Sequence, residues 1–450
     1  EASPVDKLFI ATNGGALRMI NATSGIEEWG FIPQELLPLQ RLLRANAEGE
    51  HLYGLDLTPT VWLHDDNNDG KIAGNDGDFV RILQAMRRGG NNIYSIEATP
   101  TSALTDPTAT GNVLPRLRWE ILGGVTAGFE FLSQTWSQPK VTSLRVTEGG
   151  VNVAKAVAIF AAGYDPNLDK EFNTSSIGNG IFIIDAATGE LITSIGGPGT
   201  GARLEVPDMT YAIPSDIAIL DSNGDNSADR LYFGDLGGQV WRVDLVDGLS
   251  PASTGHEVAT VGKLADISKS AGATDGSVHA AETRKFHAAP DVVQVFDEDF
   301  GQSGFARYDL ILIGSGARED PLSSAVHDTF WAFRDRAVDG LKDENDDGLV
   351  DNDDPSFHTI VRDDMTDLTG NPLQLNLDGS PEDPDAFEAA EADITSDENG
   401  FGWYIDLKEP DGQYIGEKVL SKPVVLAGKL FFTTYTPEVD DELINACQLA

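Results

Sequence analysis

The chain has 450 residues and a strongly acidic composition, with 73 Asp and Glu against 31 Lys and Arg and a formal net charge of −42. A surface of this charge repels nucleic acid and anionic lipid, which excludes both as direct ligands. The acidity fits a protein that binds cations or one that is adapted to salt, and the composition leaves both open. No apolar run approaches the length of a membrane span, so we expect no direct membrane insertion.

The glycine, proline and cysteine content limits the class of fold. The 47 glycines and 22 prolines favour sheets with many turns over a helical protein. The one cysteine, Cys447, excludes a disulfide scaffold and leaves its own partner open. Because strand-like runs begin near Lys7 and end near Tyr435, we expect the chain to be a fragment of a longer protein.

A recurring strand pattern organises the chain from its start. Residues 16–25 and 180–189 each contain an apolar strand, an Asp or Asn, and a Ser/Thr-Gly turn. The same strand shape returns in residues 93–97, 240–244, 330–335 and 403–406. The repetition predicts at least six units. These units are anchored on Ile20, Ile96, Ile184, Val243, Phe333 and Ile405.

Short β-branched runs precede most of these recurring strands. The predicted first strands of the units are residues 60–63, 141–146, 217–220, 292–296 and 423–426. The predicted second strands are residues 157–161, 231–233 and 310–313. Three or four antiparallel strands per unit, repeated radially, make a β-propeller. A β-sandwich is the competing architecture, and it is less favoured because sandwich strands need not share one local signature.

Two segments depart from the strand pattern. Residues 33–44 carry leucines near helical spacing, and we expect Pro38 to kink or divide that helix. Residues 367–400 are dense in Asp, Glu and Pro, which predicts a long acidic insertion within the domain. A short helix is predicted inside it at residues 384–392.

Residues 221–229 have the ligand spacing of a calcium loop. Side-chain oxygens stand at positions one, three, five and nine, and a backbone carbonyl is offered at position seven; these residues are Asp221, Asn223, Asp225, Asp229 and, for the carbonyl, Ser227. Ca²⁺ takes about six to eight oxygen ligands, so the spacing suits it. Apolar runs on both sides predict that the loop caps a β-hairpin. A plain solvated turn is the alternative, because these residue types are also common in turns.

Two further loops match the EF-hand pattern, except that Asp replaces the usual Glu at its last position. The candidate ligands of the second calcium site are Asp65, Asn67, Asp69, Lys71 and Asp76. Those of the third site are Asp343, Asn345, Asp347, Leu349 and Asp354. The alternative for both loops is an acidic turn in an acidic protein.

The strand count predicts where the three loops lie. In an up-and-down blade the turn after the first strand and the turn after the third strand emerge on the same face. The loops that begin at Asp65 and Asp221 each follow a predicted first strand, and the loop that begins at Asp343 follows a predicted third strand. We therefore expect all three loops on one face.

Several ordered motifs carry a family resemblance. They are residues 9–17, 27–33, 222–245, 314–322, 328–335, 402–407 and 431–437. Together they resemble the C-terminal propeller domain of the PilC/PilY family, whose members are type IV pilus assembly proteins and tip adhesins. The resemblance implies an all-β, modified seven-bladed β-propeller, similar to quinoprotein dehydrogenases, with long loop insertions. It implies one domain over residues 1–450, as the C-terminal part of a longer secreted protein.

The resemblance also implies a function and a calcium site. The family loop has the form D-x-[DN]-x-D-x-x-x-D, which places Asp221, Asn223, Asp225 and Asp229 as side-chain ligands and Ser227 as the carbonyl ligand. Nothing is carried over to the other two loops. Family members bind Ca²⁺, act with minor pilins at the pilus tip, influence pilus extension and retraction, and support twitching and attachment to host or abiotic surfaces. The implied location is the cell surface, after export through the periplasm and outer membrane.

Two other classes of function are weighed against this one. A calcium-dependent receptor- or glycan-binding propeller unrelated to pili would share the loop, and the basic island at residues 87–90 is unassigned. A quinoprotein dehydrogenase is disfavoured, because the chain has one cysteine and no catalytic constellation. We expect His279 and His287 to be solvated in a polar loop. We therefore predict no enzymatic activity, no catalytic residues and no cofactor besides Ca²⁺.

Overall fold

Antiparallel strands form most of the regular structure in this computed structural model. It describes residues 6–45, 52–72, 77–99, 115–169, 171–268, 282–297, 306–351, 357–395 and 400–437. The strands follow the predicted runs closely, because those runs combine β-branched residues with turn residues at both ends. None of the helices in these ranges is long and apolar enough to span a membrane.

Five sheets of three to five strands follow one another along the chain. Sheet I contains β1 (Lys7–Ala11), β2 (Leu17–Asn21) and β3 (Glu27–Phe31). Sheet II contains β4 (Thr60–His64), β5 (Phe79–Ala85), β6 (Asn92–Glu97) and β7 (Arg116–Leu122). Sheet III contains β8 (Lys140–Glu148), β9 (Val151–Ala161), β10 (Gly180–Asp185) and β11 (Leu191–Gly196), with the short β12 (Leu204–Glu205) parallel to β11.

The later sheets are built in the same way. Sheet IV contains β13 (Ala218–Leu220), β14 (Arg230–Gly234), β15 (Gln239–Leu245) and β16 (Ala259–Asp266). Sheet V contains β17 (Asp291–Asp297), β18 (Ala306–Gly314), β19 (Thr329–Asp335) and β21 (Gly402–Asp406), with the short β20 (Thr366–Asp367) parallel to β21. Two small pairs remain, β22 (Lys418–Val419) with β25 (Thr434–Tyr435) and β23 (Val424–Leu426) with β24 (Lys429–Phe431).

The count of repeating units needs one correction. Phe333 and Ile405 do not anchor separate units, because β19 and β21 are neighbours in sheet V and Phe330 pairs with Ile405. The long insertion between these strands separates them in sequence, and β21 repeats the apolar-Asp ending of β19. The six predicted anchors therefore mark five sheets. Within the described residues, we find four sheets with four antiparallel strands in chain order and one with three.

Each sheet packs face to face on the next one along the chain. In β14, Leu231 and Phe233 belong to the core between sheets III and IV, whereas Tyr232 belongs to the core between sheets IV and V. Side chains alternate between the two faces of a strand, so a strand covered on both sides is apolar throughout. Other cores join sheet I to II, sheet II to III, and sheet V to β22–β24. No core cluster of the described residues joins sheet I to these last strands.

The first strands of neighbouring sheets meet where they begin. Thr60 Oγ1 at the start of β4 donates to the Pro139 carbonyl just before β8, at 2.7 Å. Lys140 Nζ on β8 donates to the Ile217 carbonyl just before β13, at 2.7 Å. The first strands of sheets II, III and IV therefore start at one end of the molecule and run in the same general direction.

The helical segments agree with the sequence. A 3-10 helix (Gln34–Leu36) and α1 (Gln40–Ala45) stand on either side of Pro38, as expected for a helix divided by proline. The acidic insertion contains α2 (Pro384–Ile394), whose N-cap Asp383 accepts a hydrogen bond from the Ala386 N–H at 3.1 Å.

Candidate calcium loops

The loop between β13 and β14 is held by the carboxylate of Asp221. Its Oδ1 accepts hydrogen bonds from the N–H groups of Gly224 at 2.7 Å and Asp225 at 3.1 Å, and its Oδ2 accepts one from Asn226 at 2.8 Å. The slight desolvation of Asp221 raises its pKa, but these N–H groups outweigh it and hold the pKa below its usual range. The residue predicted as the first ligand therefore organises the turn.

The other predicted side-chain ligands lie in the same turn. Asn223 Oδ1 accepts from the Asp225 N–H at 2.8 Å, and Asp225 Oδ1 accepts from the Ser227 N–H at 2.9 Å. Asp229 Oδ2 accepts from the N–H groups of Ser222 at 2.8 Å and Asn223 at 3.2 Å. The structure thus brings all four predicted side chains together around one short stretch of backbone.

The loop is also attached to sheet III. The Ala228 N–H donates to the Ser143 carbonyl at 2.9 Å, and Ser227 Oγ accepts from the Arg145 N–H at 3.2 Å. The Arg145 guanidinium lies 3.3 Å from Asp225 Oδ2. A cation at this loop would therefore compete with Arg145 for one carboxylate oxygen.

The donor set fits a hard cation in its chemistry. It offers three carboxylates, one amide oxygen and a backbone carbonyl, which are the ligand types that Ca²⁺ prefers. Among the described residues, no three acidic, histidine or cysteine side chains are gathered closely enough to hold a metal ion by themselves. Calcium binding would therefore require the carboxylates of Asp221, Asp225 and Asp229 to turn, with Asn223 and the Ser227 carbonyl completing the set.

The second candidate loop, between β4 and β5, repeats these contacts. Asp65 Oδ1 accepts from the Asp69 N–H at 3.3 Å, and Asp65 Oδ2 accepts from the Gly70 N–H at 2.8 Å. Asn67 Oδ1 accepts from the Asp69 N–H at 2.9 Å, and Asp69 Oδ1 accepts from the Lys71 N–H at 2.8 Å. The predicted fifth ligand, Asp76, lies outside the described residues.

The third candidate loop, which follows β19, repeats them again. Asp343 accepts from the N–H groups of Asp347 at 3.1 Å and Gly348 at 2.8 Å. Asn345 Oδ1 accepts from the Asp347 N–H at 3.1 Å, and Asp347 Oδ1 accepts from the Leu349 N–H at 2.8 Å. The predicted fifth ligand, Asp354, also lies outside the described residues.

The three loops share one backbone conformation. The fourth and sixth residue of each loop have a positive φ, which L residues other than Asn, Asp and Gly rarely adopt. These φ values are 55° and 75° for Asn68 and Gly70, 78° and 65° for Gly224 and Asn226, and 59° and 82° for Asp346 and Gly348. The fourth and sixth positions of all three loops are filled by the residue types that this conformation requires.

The structure adds two carboxylates that sequence reasoning missed. Each loop has a later Asp that accepts from the N–H of its second residue. Asp229 does so for Ser222, Asp78 Oδ1 accepts from Asp66 at 2.9 Å, and Asp351 Oδ2 accepts from Glu344 at 2.8 Å. Asp351 stands nine positions into its loop, so the family spacing was present in the sequence. Counted in the same way from Asp65, Asp78 lies five residues after the ninth position of its loop. No spacing rule would have identified it.

Contacts along sheet IV place two of the loops side by side. The Leu245 N–H donates to the Asp229 carbonyl at 2.7 Å, and the Val261 N–H donates to the Gly348 carbonyl at 2.9 Å. His256 Nδ1 lies 2.9 Å from the Asp346 carbonyl oxygen. Because β4 and β13 start at the same end, the loop that follows β4 leaves at the opposite end, together with these two. We call this the loop end of the molecule, and it agrees with the expectation of one common face.

A buried ionic network stands behind the loops, between sheets IV and V. Arg242 donates to both oxygens of Asp244, at 2.8 and 2.7 Å, and to Asp335 Oδ2 at 2.7 Å. Arg230, which follows the last ligand of the first loop, pairs with Asp309 and with Asp244. Burial alone would raise the pKa of Asp244, but the hydrogen bonds and charge of Arg242 hold it below its usual range.

The expectation for His287 was wrong. His287 is buried, its Nε2 lies 2.8 Å from Glu319 Oε2, and burial lowers its pKa. The surrounding sequence is polar, but the segment packs between sheets IV and V, and Phe286 beside it is fully buried. His279 lies outside the described residues. The pairing of His287 with Glu319 forms no nucleophile and base arrangement of the kind that catalysis needs.

No family model matches the chain. The type IV pilus biogenesis factor PilY1 of Pseudomonas aeruginosa strain UCBPP-PA14 is 25% identical over 246 residues, covering 53% of this chain and 17% of that protein. A PilY1 homologue of Xylella fastidiosa strain Temecula1 is 24% identical over 443 residues, covering 97% of this chain and 25% of that protein. The chain therefore spans a quarter or less of the length of these curated relatives, which are named as pilus biogenesis factors and not as enzymes.

Solved structures give a second comparison. The crystal structure of the Pseudomonas aeruginosa PilY1 C-terminal domain matches with a TM-score of 0.56 and 19% identity, over 97% of this chain and 77% of that one. A quinohemoprotein alcohol dehydrogenase from Comamonas testosteroni has a TM-score of 0.33 and 11% identity, over 74% and 50% of the two chains. The first match shows a shared fold, and the second is too distant to support an argument.

The fold and loops define an all-β protein of consecutively packed antiparallel sheets, with acidic hairpin loops at one end. Its sequence and structure matches point to one kind of relative. The chain is homologous to the type IV pilus biogenesis factor PilY1 over much of its length, and its fold is that of the PilY1 C-terminal domain.

Proposed function

We propose that this chain is a calcium-binding propeller domain of a type IV pilus biogenesis factor. The observation that carries the proposal is the Asp221 loop, which gathers the family's ligand residues in one turn of a chain that matches a PilY1 homologue over 97% of its length. The ligands are Asp221, Asn223, Asp225, Asp229 and the Ser227 carbonyl. Among the residues that the structure describes, no contact favours a second protein class.

The proposed architecture is a modified seven-bladed propeller over residues 1–450. The consecutive packing of sheets I–V and the meeting of the first strands of sheets II, III and IV support radial order. The β23–β24 pair supports a further blade, because its first strand touches that of sheet V: the Val425 N–H donates to Asp291 Oδ2 at 2.9 Å. The acidic insertion, residues 367–400, belongs to the fifth sheet.

The proposed role of Ca²⁺ is to clamp the hairpin. Without the ion, Asp221, Asp225 and Asp229 crowd one turn, and their mutual repulsion destabilises it. Ca²⁺ would neutralise these charges, and its binding free energy would add to folding stability. The Asp65 and Asp343 loops are proposed as second and third sites, on the basis of the same backbone turn.

The proposed place of the protein is the surface of a piliated cell, at the pilus tip. Minor pilins would be its neighbours in the pilus, and host or abiotic surfaces would be its targets in attachment. Export through the periplasm and outer membrane would bring it there. Calcium occupancy at the Asp221 loop is proposed to influence extension, retraction and twitching.

The test is calorimetric Ca²⁺ titration and a melting curve on wild type and Asp229→Ala, with the same substitution assayed for twitching in the full-length protein. We expect Asp229→Ala to lose one bound ion and most of the calcium-dependent rise in melting temperature, while remaining folded. Asp378→Ala is the matched control, because Asp378 is an exposed carboxylate that holds a turn without the ligand spacing. An unchanged titration would reject the site. Lost binding with normal twitching and attachment would limit the metal to a structural role.

A further inference from the structure

The basic island at residues 87–90 forms the turn between β5 and β6, at the end of the molecule opposite the loop end. We call this the mouth end. Arg87 has a left-handed φ of 55°, and its N–H donates to the Thr135 carbonyl at 3.1 Å. Gly89 packs so closely that a Cβ there would lie 1.7 Å from the Gly54 carbonyl oxygen. The surrounding backbone therefore fixes the position of this turn.

Two guanidinium groups lie on an aromatic platform at this turn. Arg87 Cζ is 4.8 Å, and Arg88 Cζ is 5.2 Å, from the ring centre of Trp136. Trp136 stacks on Tyr164 at 4.7 Å, and both rings are buried. A guanidinium that rests on a ring by its face keeps its N–H edge available for hydrogen bonding.

The two arginines differ in how far their N–H groups are used. Arg88 reaches both carboxylate oxygens of Asp169, at 3.3 Å each. Arg87 reaches Asp56 at 3.7 Å, which is longer than a hydrogen bond. Within the part of the chain that the structure describes, the Arg87 guanidinium has no hydrogen-bond acceptor. Its side chain is 18% exposed, and none of its nitrogens is fully buried, so a ligand from solvent can reach them.

Arg318 lies in the connection between β18 and β19. It is a second arginine whose guanidinium makes few hydrogen bonds. Among the described residues, it donates to the Leu420 carbonyl alone, at 3.2 Å. Burial lowers the pKa of Arg87, and the charge of Arg318 lowers it further, so the two cations lie within reach of each other's field. Lys140 is a third cation at this end, where it donates to the Ile217 carbonyl. We call Arg87, Lys140 and Arg318 the basic mouth.

Nearby carboxylates do not neutralise the basic mouth. Asp56 and Asp216 are the acidic groups that act on both arginines, so two carboxylates face three cations. Burial raises the pKa of Asp216, and its Oδ1 accepts a hydrogen bond from the Gln138 N–H at 2.5 Å. Asp291 and Lys422, beside Lys140, pair with each other at 3.1 Å. The basic mouth is therefore locally positive in a chain whose net charge is −42.

A groove leads away from the basic mouth along the first strands. It begins at Gln138 and Lys140, passes Thr142 and Ile219, and ends at Asp221, with a volume of about 600 Å³. Its walls are the facing edges of β8 and β13. This gives room for several residues of extended polypeptide beyond any group that the cations hold.

We propose that the basic mouth binds a carboxylate presented by an acidic segment of a partner protein. The planar fork of an arginine matches the two oxygens of a carboxylate, and partial burial strengthens that contact. A long polyanion would be repelled by the rest of the surface. A short acidic segment feels mainly the local charges, because salt screens exposed charges beyond roughly 8 Å at physiological ionic strength. The groove favours a polypeptide over a small free anion.

The experiment measures fluorescence anisotropy of a fluorescein-labelled hexaglutamate peptide with the full chain, at about 0.15 M salt. We expect saturable binding that weakens as salt is raised, and at least a tenfold lower affinity for the double variant Arg87→Gln/Arg318→Gln. Arg307→Gln is the matched control for each single substitution, because it likewise removes one positive charge, here from an exposed pair at the loop end. The single variant Arg318→Gln, at a more exposed position, covers the case in which the double variant does not fold.

The outcomes separate this proposal from the calcium proposal. Absence of saturable peptide binding by the wild type, or equal weakening by Arg307→Gln, overturns the carboxylate site. Competition by citrate as effective as competition by unlabelled hexaglutamate overturns the polypeptide part. Calcium titration of Arg87→Gln/Arg318→Gln should be unchanged, and Asp229→Ala should bind the peptide normally. Failure of one site therefore leaves the other readout intact.

Discussion

The loop end and the mouth end of the sheets hold buried or partly buried carboxylates in different ways. At the loop end, Asp244 receives two hydrogen bonds from Arg242, which hold its pKa below the usual range despite burial. At the mouth end, Asp235 is fully buried and accepts N–H groups from Gly237, Gln239 and Trp241, yet burial raises its pKa to about 7. The neutral N–H donors around Asp235 do not offset the rise in pKa that desolvation causes, whereas the Arg242 charge does so for Asp244.

The difference separates arginines that hold the sheets together from arginines whose N–H groups are open to a ligand. At the loop end, Arg230 and Arg242 form internal ion pairs that join sheets IV and V. At the mouth end, the described residues accept no hydrogen bond from the Arg87 guanidinium and accept one from Arg318, at the Leu420 carbonyl. The first arrangement stabilises the molecule, and the second offers a surface for recognition.

The largest expected effect comes from breaking the framework at the loop end. Arg242→Met should leave Asp335 buried without its cation and Asp244 paired with Arg230, and should lower the free energy of unfolding by about 3–5 kcal/mol. Arg307→Gln, which breaks an exposed pair with Asp339, should cost less than about 1 kcal/mol. Denaturant unfolding of both variants measures the contrast. Equal losses would show that the buried network has no special role.

A smaller effect is expected from titration at the mouth end. The folded-state pKa of Asp235, at about 7, is higher than its ordinary value of 3.8. Its contribution is therefore fully present below about pH 4 and is lost as the pH rises through about 7, by a few kcal/mol at most. Melting temperatures from pH 4 to 8 should fall less steeply for Asp235→Asn than for wild type. Parallel curves would mean that Asp235 stays charged in the folded protein.

The smallest expected effect concerns one ion at the loop end. If the later Asp that accepts from the second residue completes each loop, Asp351→Ala should lose one bound Ca²⁺ and Asp354→Ala should lose none. Calorimetric stoichiometry distinguishes the two variants, with Asp229→Ala as the reference for a lost site. If Asp354→Ala loses an ion and Asp351→Ala does not, the EF-hand pattern predicted from the sequence describes this site.

Strands were predictable, because their signal is local. Residues 60–63, 217–220 and 292–296 each combine β-branched side chains with flanking turn residues, and each is a first strand in the structure. Residues 403–406 have the same local signature, and only hydrogen bonding to β19 shows that they complete sheet V. The local sequence pattern therefore identified the strands but did not show which sheet each strand joins.

The candidate sites were predictable to the extent that their ligands are close in sequence. Asp221 to Asp229 form one turn, so spacing was enough. Asp78 acts through a hydrogen bond to Asp66, and no fixed spacing marks it. Arg87 and Arg318 are separated by about half of the chain, and only folding brings their charges within reach of each other. Burial of His287 likewise depends on packing between sheets, which a polar local sequence does not reveal.

The order of strands within each sheet has a consequence for how the chain acquires its structure. In sheets I–IV, each of the main strands pairs with the strand that follows it, so a sheet needs only its own short stretch of polypeptide to form. Contacts close in sequence form quickly, since little chain entropy is lost in closing each turn. Sheet V differs, because β19 must wait for β21 across residues 336–401. A chain synthesised from its N-terminus could form sheets I–IV in succession. Sheet V would form later, because the edge of β19 stays unpaired until the acidic insertion and β21 have been synthesised.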